Sequence, residues 1–130
     1  MNLQKENERE LKNKQIGIDI VDVDRFRRKK FLDNISFYEK IFTDLEITYC
    51  RKFSDPYPHF AGKFALKEAV RKSIRKEIVF KKIETFHIDS RPRVRIDNND
   101  GQYEFITSIS HEKKYAIAVT ISEKLHNHST

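Results

Sequence analysis

Two acidic side chains, Asp19 and Glu68, have the type and the setting that metal-ion or acid–base chemistry requires. Asp19 lies in the segment 15–23, QIGIDIVDV, where isoleucines at every second position predict a β-strand with Asp19 on the opposite face. Glu68 lies in the middle of the helical pattern 59–76. Each acid also has an ordinary structural explanation. Asp19 would be a solvated residue of an edge strand, and Glu68 would pair with Lys72 one helical turn away on the surface.

Taken together, the two acids predict a metal site. If the helix packs on the sheet, Asp19 and Glu68 converge, and two carboxylates with phosphate oxygens and water suit Mg²⁺. Lys63, Lys67 and Lys72 are close in sequence to Glu68 and would neutralise a phosphorylated ligand. This combination favours phosphoryl-type transfer, which depends on positioning and charge stabilisation.

A histidine, His111, ends the segment SISH and begins the tight loop 111–114. An imidazole can transfer a proton or donate a hydrogen bond to a phosphate near neutral pH. The alternative is a turn histidine without a chemical role.

Basic residues cluster in the segment 24–30, DRFRRKK. Such a run is a solvated face, a nucleic-acid contact, or a contact for an acidic helix of a partner protein. A second basic set, Arg91, Arg93 and Arg95, alternates along a predicted strand and therefore shares one face, for which a solvated surface is the favoured interpretation.

Composition restricts the classes of protein. The chain has 130 residues, 38% hydrophobic and 35% charged, and its 26 Lys+Arg against 20 Asp+Glu give a net charge of +6. This length predicts one domain with its own core. The basic balance predicts an anionic partner: nucleic acid, a phosphorylated small molecule or an acidic protein.

Cellular location is predicted from what the sequence lacks. The single cysteine, Cys50, excludes an intrachain disulfide framework and a cysteine-built zinc site. No apolar run approaches the roughly 20 residues of a membrane helix, and residues 1–15 lack the apolar core of a secretory signal. We therefore expect a soluble protein in a reducing compartment, most simply the cytoplasm.

The elements that would position these residues form a mixed α+β domain with a small, mostly antiparallel sheet packed against a long helix and shorter helices. The sequence Thr43-Asp44-Leu45-Glu46 predicts a capping box that opens a helix over 44–51. In the long helix 59–76, an apolar stripe predicts the buried face, and a basic edge is formed by Lys63, Lys67, Arg71 and Arg75.

The C-terminal half is predicted to be strands over 83–89, 93–97, 102–108 and 115–121. The turn sequence at 98–101, NNDG, predicts a hairpin between the second and third of them. We expect residues 1–14 to be a polar extension, 15–122 the domain, and 123–130 a polar tail.

Several segments together resemble the small one-domain class of 4′-phosphopantetheinyl transferases, the holo-acyl-carrier-protein synthases. The resemblance runs in order from about 17 to 121. Its segments are GIDI (17–20), VDRF (23–26), EKIFTDLE (39–46), FAGKFALKEAVRK (60–72), SISH (108–111) and YA (115–116).

The resemblance implies a fold and an activity. These enzymes move 4′-phosphopantetheine from coenzyme A to a serine hydroxyl of an apo-acyl carrier protein, as in fatty acid biosynthesis, and release adenosine 3′,5′-bisphosphate. By position, Asp19 and Glu68 would hold Mg²⁺ and Lys72 would neutralise phosphate charge, while Glu68 or a metal-bound water would accept the serine proton. The coenzyme site would be lined by Lys63, Lys67, Ser110 and His111.

The resemblance also implies partners. Arg25, extended by Arg27 and Arg28, would face an acidic helix of the carrier protein, and the small class forms homotrimers with sites between subunits. The chain departs from the family after the long helix, where a glycine-rich turn is usual and 73–80 reads SIRKEIVF. Arg75 and Lys76 are candidates to replace that turn with side chains. The alternative function is a basic, non-enzymatic nucleic-acid-binding module.

Overall fold

The computed structural model describes residues 11–97 and 102–125. Its strands are β1 (Lys14–Asp22), β2 (Ile83–Ile88), β3 (Arg91–Ile96), β4 (Tyr103–His111) and β5 (Tyr115–Lys124). Helices with both ends in these residues are α1 (Asp24–Arg27), α2 (Ile35–Ile41), α3 (Asp44–Arg51) and α4 (Tyr57–Ile74), with 3-10 turns at Phe31–Asp33 and Phe80–Lys82.

The strands form two antiparallel sheets, and the predicted α+β class is confirmed. One sheet has the order β1-β5-β4, and the other is the hairpin β2-β3. The long helix α4 packs across β1 and β5.

The predicted hairpin between 93–97 and 102–108 is wrong. β3 pairs with β2, and β4 pairs with β5. A two-residue turn joins β2 to β3, and both of its residues, Asp89 and Ser90, have left-handed backbones, with φ of 51° and 63°. Two left-handed residues form the turn type that matches strand twist, but without glycine this turn gave no signal in the sequence. The NNDG segment lies outside the described residues.

The sheet and α4 approach each other closely at Gly17 of β1. A Cβ atom there would lie 2.0 Å from the carbonyl oxygen of Ala69 on α4. The residues of β5 that face the helix are correspondingly small: Ala116, Ala118, Thr120 and Ser122 are all buried. The isoleucines of β1 therefore point to the opposite face, where Ile18 is 61% exposed.

Aromatic residues fill the core on the other side of α4. Phe26, Tyr38, Phe42 and Phe60 have no exposed surface, and the rings of Tyr38 and Phe60 lie 4.7 Å apart. The predicted apolar stripe of α4 is confirmed as the buried face.

The capping box at α3 is confirmed. Thr43 Oγ1 accepts from Glu46 N (3.3 Å), and Glu46 Oε1 accepts from Thr43 N (2.8 Å). The observed helix, Asp44–Arg51, has the predicted bounds.

Helix α4 begins and ends two residues earlier than predicted, because Pro58 lies in its first turn and Arg75 stops it in a left-handed conformation (φ 56°, ψ 42°). Strand β1 begins at Lys14, and strand β5 ends at Lys124. Most of the predicted N-terminal extension and of the predicted tail lies outside the described residues. Within them, no helix combines the length and apolarity needed to cross a bilayer.

Candidate active site

Strand β1 places Asp19 against the last turns of α4. The ammonium of Lys72 donates to Asp19 Oδ1 at 2.9 Å and to the carbonyl oxygen of Ile18 at 3.1 Å. The Asp19 side chain is 16% exposed. Asp19 is therefore not a solvated residue of an edge strand, since the same alternation that exposes the isoleucines turns it toward the helix.

Glu68 lies one helical turn before Lys72 on α4. Its carboxylate contacts Arg71 Nη1 at 3.5 Å and keeps 27% of its side chain exposed. The surface pair between Glu68 and Lys72 considered from the spacing is not the one formed, because Lys72 reaches across to β1. Lys72 thus forms an ion pair with Asp19 on β1 and lies one helical turn from Glu68 on α4.

An open groove of about 530 Å³ follows the C-terminal end of α4. Its walls are Glu68, Arg71, Lys72, Arg75, Lys76 and Glu77. Four cations against two carboxylates make this groove suitable for a phosphorylated ligand.

By their donor type, Asp19 and Glu68 suit a Mg²⁺ ion that keeps water and phosphate ligands. Asp19 and Glu68 are both partly exposed, so water or a phosphate can reach them. Among residues 11–97 and 102–125, no three or more His, Cys, Asp or Glu side chains are grouped as a metal cage. Mg²⁺ is commonly bound by one or two carboxylates together with substrate phosphates, which matches this donor set.

The predicted basic edge of α4 is wrong for Lys67. Its side chain is completely buried, and its three donors contact Glu46 Oε1 (2.7 Å), the Ile41 carbonyl (2.8 Å) and the Phe80 carbonyl (2.9 Å). Lys67 therefore does not line an open coenzyme site in this structure, because the segments around α3 and β2 cover this side of α4.

Lys63 is also buried, one turn earlier on the same side of the helix. Its ammonium donates to the carbonyl oxygen (3.1 Å) and to Oγ1 (3.0 Å) of Thr85 on β2. The Thr85 hydroxyl in turn donates to Glu46 Oε2 at 2.6 Å, and this fixes its lone pairs toward Lys63. One buried carboxylate, Glu46, thereby orients both lysines.

Lys63 also forms part of the wall of a second cavity, of about 140 Å³. Three histidines from different elements join it there: His59 of α4, His87 of β2 and His111 of β4. The rings of His59 and His111 lie 4.7 Å apart, and His87 stacks on Tyr49 at 4.9 Å.

Burial and neighbouring positive groups lower the pKa of two of these histidines. For His59 burial is the main cause, followed by the electrostatic effect of His111. For His87 burial again comes first, followed by the charge of Lys63. Burial likewise lowers the pKa of the Lys63 ammonium, against the opposing effects of Cys50 and Glu46. Lower histidine pKa values favour neutral imidazoles in this cavity at pH 7.

The predicted coenzyme residues on β4 point to different faces. His111 faces α4, where its Cδ2 would lie 3.5 Å from a Cβ at Gly62. Ser110 is exposed and lies opposite Ile117, on the isoleucine face of the sheet. Strand alternation separates the two, so within this chain Ser110 does not join Lys63 and His111.

The predicted docking arginines differ in availability. Arg25 and Arg28 are exposed, and the Arg25 guanidinium lies 5.1 Å from the centre of the Phe64 ring. Arg27 is held by Asp55 (2.9 Å) and by the carbonyl of Lys113 (3.1 Å), so it ties α1 to two loops. On β3, the arginines at 91, 93 and 95 are exposed, as expected for a solvated face.

Sequence reasoning missed His59, His87 and the role of Glu46 beyond its cap. The two histidines are far apart in sequence and meet only when β2 lies beside α4. The capping box explains why Glu46 is present, so the sequence does not indicate that its second carboxylate oxygen also accepts from Thr85 on strand β2.

Comparison with known proteins gives consistent results. Residues 15–120 match the family described as the 4′-phosphopantetheinyl transferase superfamily. A holo-[acyl-carrier-protein] synthase of Thermodesulfovibrio yellowstonii is 38% identical over 109 residues, which are 82% of this chain and 95% of the relative.

Two solved structures are similar in fold. A Bacillus anthracis holo-(acyl-carrier-protein) synthase in complex with CoA (3′,5′-ADP) has a TM-score of 0.74 and 30% identity, and the match covers 85% of this chain and 96% of that one. A Helicobacter pylori holo-[acyl-carrier-protein] synthase in complex with coenzyme A has a TM-score of 0.73 and 30% identity, covering 83% and 99%.

Proposed function

The chain belongs to the 4′-phosphopantetheinyl transferase superfamily, and we propose that it transfers 4′-phosphopantetheine from coenzyme A to a serine hydroxyl of an apo-acyl carrier protein. The observation that carries this proposal is the position of Lys72. It binds Asp19 and lies one turn from Glu68, in a groove rich in positive charge. Family membership favours this transfer over the nucleic-acid-binding alternative.

The reaction places specific demands on the groove. The serine oxygen bonds to the phosphorus of the pantetheine phosphate, the diphosphate P–O bond breaks, and adenosine 3′,5′-bisphosphate leaves with the electron pair. Lys72 and the neighbouring cations stabilise the charge that develops on the departing phosphate. Glu68, a carboxylate in the same groove, is the candidate acceptor for the serine proton.

Asp19 and Glu68 would hold Mg²⁺. When bound, this ion would neutralise charge on the diphosphate oxygens. The Lys72 ammonium lies 2.9 Å from Asp19 Oδ1, where it compensates the charge of that carboxylate and holds it in place.

Exposed arginines of α1 and its C-cap support a docking surface for an acidic helix of the carrier. Arg25 lies over Phe64, which is one helical turn before Glu68 on α4. An acidic helix bound at Arg25 and Arg28 would therefore lie beside the groove in which its serine must react. We propose a fatty-acid carrier as the substrate, with a polyketide, peptide or other carrier domain as the alternative.

We also propose that the chain assembles as a homotrimer and acts in the cytoplasm. The isoleucine face of the three-stranded sheet supports assembly, because exposed apolar patches of this kind are typical of subunit interfaces. The single described cysteine, Cys50, is buried and free, which is compatible with a reducing compartment.

A mass-shift assay tests the transfer. Apo-carrier, coenzyme A, Mg²⁺ and the wild-type chain should give a carrier heavier by one phosphopantetheine, and a chelator should abolish the shift. Asp19→Ala and Glu68→Ala should each lower the rate by about 100-fold or more, since each removes an electrostatic contact to the reacting groups. Glu39→Ala, an exposed carboxylate on α2, is the matched control and should leave the rate unchanged.

Absence of the mass shift with the wild-type chain would refute the transferase proposal. Wild-type rates in both acid variants would refute the metal assignment alone.

In the same assay, Arg25→Glu should raise the KM for the carrier. A rise in the KM for coenzyme A instead would contradict the docking role.

A further inference from the structure

Helix α4 ends at Ile74 and is capped by Arg75, a residue with a left-handed backbone (φ 56°, ψ 42°). The carbonyl of Arg71 accepts from the backbone N–H of both Arg75 and Lys76, as in a Schellman-type helix end. Glycine normally occupies this position, because a Cβ atom makes the left-handed conformation costly. Strained non-glycine residues of this kind cluster at functional sites, so the side chain of Arg75 needs an explanation.

The other cations of the groove already have protein partners. Lys72 is held by Asp19 and the Ile18 carbonyl. Arg71 contacts Glu68 (3.5 Å) and Glu77 (3.7 Å), and the Lys76 ammonium lies 5.2 Å from the centre of the Tyr103 ring.

Arg75 differs from all three. It is exposed and lines the same groove, yet its guanidinium makes no hydrogen bond, ion pair or ring contact with any residue of 11–97 or 102–125. Its side chain thus contributes nothing visible to the fold, although its backbone is strained.

The groove also lies at the unfavourable end of the helix for an anion. Backbone N–H groups at a helix N-terminus bind phosphate, but the C-terminus of α4 presents carbonyl oxygens and partial negative charge. Phosphate binding at this end must therefore come from side chains. A guanidinium is well suited, because its planar fork binds phosphate oxygens in a bidentate manner.

We propose that Arg75, at the C-terminal end of α4, binds the diphosphate of coenzyme A through its guanidinium. This inference rests on the transferase function proposed above. Arg75 lines this groove together with Lys72, and among the residues that the structure describes its guanidinium has no carboxylate partner.

Arg75→Gly gives a direct test, because glycine removes the guanidinium and at the same time relieves the backbone. We expect the dissociation constant for coenzyme A, measured by calorimetry without carrier, to rise about tenfold, and the KM for coenzyme A to rise with it. The unfolding midpoint should stay the same or increase. Arg75→Lys keeps the charge but loses the bidentate guanidinium. Its dissociation constant for coenzyme A should lie between those of the wild-type chain and Arg75→Gly.

Asp89→Gly is the matched control. Asp89 has a similar left-handed backbone (φ 51°) in the β2–β3 turn, so this variant relieves strain without removing a groove cation. It should leave coenzyme A binding unchanged. If Arg75→Gly binds coenzyme A within twofold of a wild-type chain that binds and transfers normally, the assignment of Arg75 is wrong while the transferase proposal stands. If the wild-type chain does not bind coenzyme A, both fail.

Discussion

The basic residues spaced four apart along α4 have two different environments. Lys63 and Lys67 are enclosed by α3 and β2 and share the carboxylate of Glu46, directly for Lys67 and through Thr85 for Lys63. Arg71 and Arg75 line the open groove. A buried ion pair contributes little net stability, because desolvation offsets the attraction, but it holds its members in one geometry.

Lys63 has a further electrostatic effect on the histidine cavity. Burial is the main cause of the lowered pKa of both His87 and His59; the charge of Lys63 is the second cause at His87 and the last at His59. Lys63→Met should therefore raise both pKa values, with the larger rise at His87. NMR titration of the imidazole resonances measures this directly, and Lys40→Met, an exposed lysine on α2, should shift neither.

The sign of the pH effect on stability follows from the same shifts. The folded-state pKa of His59 lies below the unfolded value of about 6.5, so the unfolded chain binds protons more readily in this range. The contribution of neutral His59 to the free energy of unfolding is present above about pH 6.5 and is lost as the pH falls through its folded-state pKa. His59→Gln should reduce the loss of unfolding free energy on acidification. An unchanged pH profile would contradict the assignment.

The contact between strand β1 and helix α4 positions the candidate catalytic groups. Asp19 reaches Lys72 only because Gly17, two residues earlier on the same face, lets the strand backbone approach the helix. The small residues of β5 that face α4 serve the same contact.

Gly17→Ala should therefore be strongly destabilising. Its Cβ would lie 2.0 Å from the Ala69 carbonyl, so the strand or the helix must move. We expect a loss of about 1–3 kcal/mol or more in the free energy of unfolding, measured by urea denaturation at fixed protein concentration. Transfer activity should fall as well, since Asp19 moves with the strand.

Gly62→Ala is the matched control within α4. Its new Cβ would meet only side-chain atoms, at 3.2 Å from Ile109 and 3.5 Å from His111, and alanine favours a helix by about 1 kcal/mol over glycine. We expect a change near zero or a small gain. Equal destabilisation by the two alanines would show that close backbone contact at Gly17 is not the cause.

The three-stranded sheet β1-β5-β4 presents two different faces. The face toward α4 carries small and polar residues, while the outer face carries the exposed isoleucines at positions 16, 18, 20, 106, 117 and 121. An apolar face of this extent on a chain with 35% charged residues indicates a partner surface rather than solvent.

Ile18→Lys tests the proposed homotrimer. Ile18 lies in the middle of β1, opposite Val119, and a lysine there would bring three like charges into a symmetric interface. By light scattering after size-exclusion chromatography, the wild-type chain should have three times the mass of 15.6 kDa, and the variant should have 15.6 kDa. Leu45→Lys, at an exposed leucine outside the sheet, should remain trimeric. A monomeric wild-type chain would refute the trimer.

Local sequence patterns predicted most of the helices and strands in their order, and they selected part of the candidate site. Periodicity, the capping box and the prolines at the start of α4 act over one or two turns, so a single sequence shows them. Motif spacing likewise selected Asp19, Glu68 and Lys72, and the family resemblance it supported is confirmed.

Three-dimensional packing alone established which strands pair, which face of β1 meets the helix, and which lysines of α4 are buried. Each of these depends on residues distant in the chain: Gly17 against Ala69, Lys67 against Glu46, and Lys72 against Asp19. A hydrophobic strand face does not by itself distinguish the core of one chain from the surface between chains. Here the close approach of β1 to α4 requires small residues on the face of the sheet that packs against the helix, so the isoleucines lie on the exposed face.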